Sequence, residues 1–168
     1  MPAPAPVKNA AAVGFRIAAA ASFAAPLLSR LALGYEFFLT GRGKLEHIDN
    51  FTKMLTDLGV PFPALNAAFV ARVEYYGAIL LILGLLTRFG ALGLLSTMVV
   101  ALLTADRVEF IQSLDPAAEK GPMDFASFVN LLLLLWLTLF GPGLVSLDAL
   151  LARWLGLSPR AEPQTPQP

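Results

Sequence analysis

Four apolar runs recur along the chain, set apart by segments rich in Pro, Gly or charge. The first is Pro26 to Leu45, where Pro26 suits a first helical turn. The second, Ala64 to Leu86, follows the break Pro61-Phe62-Pro63. The third, Phe89 to Ala105, is separated from it only by Thr87-Arg88, so these two form an antiparallel hairpin. The fourth, Phe125 to Phe140, is stopped by Gly141-Pro142-Gly143. At ~1.5 Å per residue each suits a hydrocarbon core ~30 Å thick, the fourth only if Leu144-Val145 extends it. The pattern predicts an all-α fold: a four-helix transmembrane bundle with short interfacial helices.

The segments between the runs are of several kinds. From Arg42 to Pro63 the chain is too polar to span, but Ile48, Phe51, Met54, Leu55 and Leu58 recur three and four apart. That spacing predicts an amphipathic helix on the membrane surface, closed by Gly59. Asp106 to Asp124 reads as an acidic loop. Val145 to Leu157 reads as a terminal interfacial helix with Arg153 and Trp154 at headgroup level. Residues 1–25 read as a disordered Pro/Ala-rich tail leading into a surface helix, with a signal peptide as the alternative. Residues 26–157 form the membrane domain, and 158–168 a disordered Pro/Gln-rich tail.

Composition fits this reading. Hydrophobic residues make up 57% of the 168, charged residues 14%, and mean hydropathy is +0.68. Soluble domains carry about 25% charged residues. Lys+Arg and Asp+Glu balance at 12 each, so no basic excess points to nucleic acid. The absence of Cys excludes disulfides, a thiol nucleophile and Cys-ligated metal centres. The single histidine, His47, cannot build a bis-His haem and sits in a polar loop, so no metal is expected. No redox centre is intrinsic to the chain. Orientation is weakly marked: Lys8, Arg16, Arg88, Arg153 and Arg160 balance Arg42, Lys44, Lys53, Arg107 and Lys120 across the two sides. Both termini are placed in the cytoplasm, the membrane being the plasma (inner) membrane.

Four charges fall inside the first two runs: Arg30, Glu36, Arg72 and Glu74. An ionised group in hydrocarbon costs on the order of 3 kcal/mol or more, so each needs a partner, a proton or a cavity. If Pro26 and Leu86 lie on one side, helix rise puts Arg30 ~6 Å deep, Glu36 ~15 Å, Glu74 ~18 Å and Arg72 ~21 Å. Arg72 and Glu74 are two apart and point to opposite faces, so they do not neutralise each other. The depth match suggests Glu36 with Arg72 and Glu74 with Arg30. Glu74 then reads either as half of a structural pair or as the centre of a ligand or proton site. Tyr35, Tyr75 and Tyr76 offer hydrogen bonds near it. Gly34, Gly41, Gly77, Gly84, Gly90 and Gly93 suit close helix packing.

Taken in order, several pieces resemble the DoxX family of membrane proteins. They are Arg30-Leu-Ala-Leu-Gly34 with Gly41-Arg-Gly-Lys44; Leu58-Gly59-Val60-Pro61; Val73-Glu74-Tyr75-Tyr76-Gly77 with Leu83-Gly84 and Thr87-Arg88; and Gly141-Pro142-Gly143 with Ser146-Leu147-Asp148. The likeness runs from Leu27 to Leu150. It implies a four-helix membrane bundle with Arg30, Lys44, Glu74 and Arg88 at characteristic polar positions. It also implies a link to membrane oxidoreductase assemblies, in which relatives serve as quinone-reducing subunits. Glu36 and Arg72 stand where the family is expected to be apolar.

Three functions follow as expectations. The first is an accessory or quinone-interacting subunit, with Arg30, Glu36, Arg72, Glu74, Tyr75 and Tyr76 as the polar centre. Its partners would be the lipid bilayer, a membrane or soluble oxidoreductase, and a second copy of the chain. The second is a non-enzymatic scaffold or stress-resistance protein. The third is a small proton-coupled transporter, which the intramembrane carboxylates favour and the absence of an inverted repeat disfavours.

Overall fold

The computed structural model describes residues 23–157. Among these the fold is all-helical, with no strand. The elements are α1 (Ala24–Glu46), α2 (Ile48–Asp57), α3 (Pro63–Leu83), α4 (Thr87–Leu103), α5 (Arg107–Gln112), a 3-10 turn (Pro122–Asp124), α6 (Ala126–Phe140) and α7 (Leu147–Trp154). The readings of residues 1–22 and 158–168 lie outside the described residues.

Among the described residues only α3 is by itself both long and apolar enough to cross a membrane. At 17 and 15 residues α4 and α6 are shorter apolar helices, spanning roughly 25 and 22 Å. α1 has the length, 23 residues, but carries Arg30, Glu36, Arg42, Lys44 and Glu46. The four long helices thus exist near the expected places, but length and composition mark just one of them, α3, as a span.

α1 lies along α3, α3 along α4, and α4 along α6, while α1 and α6 barely touch. The buried core is Leu33 and Phe37 from α1, Ala78 and Leu81 from α3, Ala91 and Leu94 from α4, and Leu134 and Leu137 from α6. Much of the α3–α4 contact is made by small residues, including Gly77, Ala78, Gly90 and Ala91, while Phe69, Leu92, Leu132 and Leu139 face outward. Small residues inside and large apolar ones outside is how helices pack in lipid, where association depends on close backbone approach. An exterior this apolar is matched to hydrocarbon. The protein is a membrane protein.

Helix boundaries follow local chemistry. Pro63 opens α3, its missing N–H falling where no intrahelical partner exists. Gly84, at φ +68°, closes it in the left-handed conformation. The α3–α4 link is therefore Gly84 to Leu86, and Thr87 and Arg88, expected as the link, open α4 instead. Gly59, at φ +71°, ends the α2 region as its position suggests. The stretch from Asp106 to Asp124 is more than a loop: it holds α5 and the 3-10 turn, where the Asp124 carboxylate accepts from Gly121 N at 2.7 Å.

Candidate functional site

Three groups of charged residues join the helices. The first is an ion pair between α1 and α3. Glu74 is 1% exposed, and its Oε1 accepts from Lys44 Nζ at 2.5 Å. Lys44, its side chain 28% exposed, lies 4.9 Å from the centre of the Phe51 ring on α2, a cation–π contact. The pair depends on Gly41. A Cβ there would stand 2.5 Å from Tyr75 N, so only glycine lets α1 touch the α3 backbone beside Glu74. Lys44, one turn further on, then reaches back to the carboxylate, because helical side chains lean towards their N-terminus. Glu74 Oε2 is buried and meets no protein donor among the described residues. Tyr75, half-buried, stacks on Phe38 at 5.1 Å and meets Tyr76 edge-on at 5.3 Å.

The second group is at the other end of α1, around the α3–α4 turn. Buried Arg30 donates from Nη1 to Pro142 O at 2.9 Å and from Nη2 to Val145 O at 3.0 Å. Its guanidinium lies against Gly84, where a Cβ would come within 2.6 Å of Nη1. Asp148, in the first turn of α7, accepts from Leu86 N at 2.7 Å and Thr87 N at 2.9 Å. Its own N–H donates to Gly84 O at 2.9 Å. One carboxylate thus caps α4 and holds Leu86, which has φ +47°, a region costly for a non-glycine residue. Ser146 caps α7, its Oγ accepting from Ala149 N at 3.1 Å. Arg88 is exposed on the same end and makes only a long contact, 3.4 Å, with Leu139 O.

The third group is a seam. Glu36 is exposed on the side of α1 facing α6 and accepts from the buried Asn130 Nδ2 at 2.9 Å.

The pairs expected from depth do not form. Glu74 is joined to Lys44 and not to Arg30, which bonds backbone carbonyls at the opposite end. Glu36 meets Asn130, and Arg72 is exposed, donating to Ala68 O of its own helix at 2.8 Å. Arg72 and Glu74 do point to opposite faces. Arg30, Glu36, Arg72 and Glu74 therefore make no single polar centre. Of the six residues assigned to it, Glu74 and Tyr75 lie together inside, whereas Tyr76 is 59% exposed. Tyr35 is exposed as well. Gly34, Gly41 and Gly77 are buried at helix contacts. Two roles are not among the sequence expectations: that of Asn130, a lone amide in a run of leucines, and the capping by Asp148, which sits two residues after a cap-type serine.

The DoxX family model matches residues 25–107, covering α1 to α4. Arg30, Lys44, Glu74 and Arg88 fall inside the match; Asn130 and Asp148 fall outside it. No curated protein and no solved structure gives a significant match to the chain. The matched segment contains both the Gly41 contact and the Lys44–Glu74 pair it permits; by the match over residues 25–107 the chain belongs to the DoxX family.

Proposed function

We propose that the protein is a four-span subunit of the plasma membrane that serves a membrane oxidoreductase system by interacting with quinone. The observation that carries this is the buried Glu74 carboxylate, paired on one oxygen by Lys44 and, among the described residues, without a donor on the other. Such an arrangement supplies hydrogen-bonding groups inside an apolar bundle, which a small polar head needs. The outward-facing leucines of α4 and α6 support four spans despite the shortness of those helices, and Asp148 and Arg30 tie their ends to α3 and α1. With both termini cytoplasmic, the Lys44–Glu74 pair lies nearer the outer face. Electrons would reach a quinone from an oxidoreductase partner, since no redox ligand set is present in the sequence.

The test is purification into nanodiscs, with mass spectrometry of co-extracted lipids and thermal unfolding with and without a decyl-benzoquinone. A ligand at 100 times its Kd stabilises by about 2.7 kcal/mol, so a rise of several degrees in Tm is expected. Glu74→Gln should shrink it. No co-purified quinone and no shift at saturating probe would overturn the reading.

The scaffold reading is favoured by a different observation: Arg30 and Asp148 are engaged with backbone groups alone. It gains ground if Glu74→Gln folds normally and leaves the cellular phenotype intact.

A further inference from the structure

Beneath α2 lies a cavity of ≈430 Å³, bounded by the Leu58–Pro61 turn, the outer half of α3 (Asn66, Phe69) and the second half of α4 (Ser96, Leu103). That volume is within the ~300–1,000 Å³ of small-molecule sites. A narrower cavity of ≈90 Å³ continues from it. The two share Leu55, Leu58, Val70, Thr97, Val100 and Thr104, and the inner one ends at Lys44 and Phe51. The outer cavity is flanked by exposed Phe69, Val100 and Leu103, so it opens sideways between α3 and α4, towards lipid.

The lining dictates the ligand. The wide part is mostly apolar, and its polar side chains already donate to backbone: Thr97 and Thr104 to Leu94 O and Val100 O at 2.7 Å each, Ser96 to Gly93 O and Asn66 Nδ2 to Pro61 O at 2.6 Å each. It would take an unbranched or prenyl chain. The inner end presents Lys44, an ammonium with three N–H donors, one of which is given to Glu74. Because Glu74 balances the charge of Lys44, an anionic head gains little from the pair and loses its hydration. A neutral acceptor takes a spare N–H without that loss. Two acyl chains and a phosphate do not fit a passage that narrows to ≈90 Å³.

We infer that this cavity binds a single-chain amphiphile, tail outward between α3 and α4, with a neutral carbonyl head on Lys44. The inference deepens the quinone reading and rests on it only for one source of such a head; a long-chain ketone is the other.

The experiment measures binding to the protein in nanodiscs by isothermal titration, with four probes: decyl-benzoquinone, 2-tridecanone, dodecanoate and dodecane. The two carbonyl probes should bind at least tenfold tighter than dodecanoate or dodecane. Val100→Trp should abolish binding by filling the passage, and Ser96→Trp, at an exposed position on the mouth, does the same if Val100→Trp fails to fold. Dodecanoate binding best, dodecane equalling the carbonyl probes, or undiminished binding in a folded tryptophan variant each overturns the inference. If 2-tridecanone binds and decyl-benzoquinone does not, the cavity stands and the quinone reading falls. If decyl-benzoquinone binds equally well to both tryptophan variants, the quinone reading stands and the cavity inference falls.

Discussion

Charges at the two ends of α1 are handled in different ways. Arg30 has both terminal nitrogens on backbone carbonyls, and the nearby Asp148 has both oxygens on backbone N–H groups. Arg30 Nε and Thr87 Oγ1, buried at the same end, meet no partner among the described residues, so what sets this end apart is that its bonds run to backbone and not to side chains. At the other end, Lys44 and Glu74 are bonded to each other; Glu74 Oε2 meets no donor among the described residues, and Lys44 lines a cavity. Charges satisfied by backbone fix where the chain goes. Charges satisfied by side chains can exchange partners, which is what a binding site requires.

The largest effect expected from breaking this contrast is at the pair. Lys44→Met leaves Glu74 buried and uncompensated, which costs about 3–5 kcal/mol. The double variant Lys44→Met/Glu74→Met removes both charges and should recover most of the loss, since an apolar pair of similar volume is often neutral. Unfolding in mixed micelles measures both. A double variant no better than the single one would mean that the pair does not act as a unit.

At the backbone-bonded end, Asp148→Ala should cost about 2–3 kcal/mol, from two charge-assisted bonds and the α4 cap. The same measurement on quinone-loaded protein should show the probe affinity unchanged. A loss of affinity comparable to that of Lys44→Met would erase the distinction between the two ends. Gly41→Ala is intermediate. Its Cβ would press on Tyr75 N, so α1 must move off α3 at a cost of about 1–3 kcal/mol. Because that motion draws Lys44 away from Glu74, binding should weaken together with stability, unlike in Asp148→Ala.

Much of this was legible in the sequence. Pro63, Gly84 and Gly141 punctuate the apolar runs, so α3, α4 and α6 could be placed to within a few residues. α2 was visible from Ile48, Phe51 and Leu55 because an amphipathic period survives in a short helix. α5 was missed because six residues carry too little periodicity to stand out from an acidic loop. The partner of Glu74 is hidden for a geometric reason. Helix rise from Cα positions sets Glu74 nearest Glu36 in depth, whereas the register fixed by Gly41 against Tyr75 sets it near Lys44. A lysine reaching back towards its own N-terminus covers the remaining turn. For Arg30 the count failed differently: its partners are carbonyls of residues 142 and 145, and no charge pattern marks a carbonyl.

The smallest expected effect sharpens the comparison from outside. Arg72 is two residues from Glu74 on the same helix, equally charged and equally foreign to an apolar run. It lies on the outward stripe with Leu65, Phe69 and Tyr76 and, among the described residues, bonds only Ala68 O. With no buried partner to orphan, Arg72→Gln should change unfolding free energy by no more than about 0.5 kcal/mol and leave probe binding intact. Position along the helix would predict the opposite, that neighbours two residues apart matter alike. A loss from Arg72→Gln as large as that from Lys44→Met would mean that the outward face is covered in the working assembly. The cost would then belong to an interface, and the contrast between backbone-bonded and side-chain-bonded charges would have to be redrawn to include it.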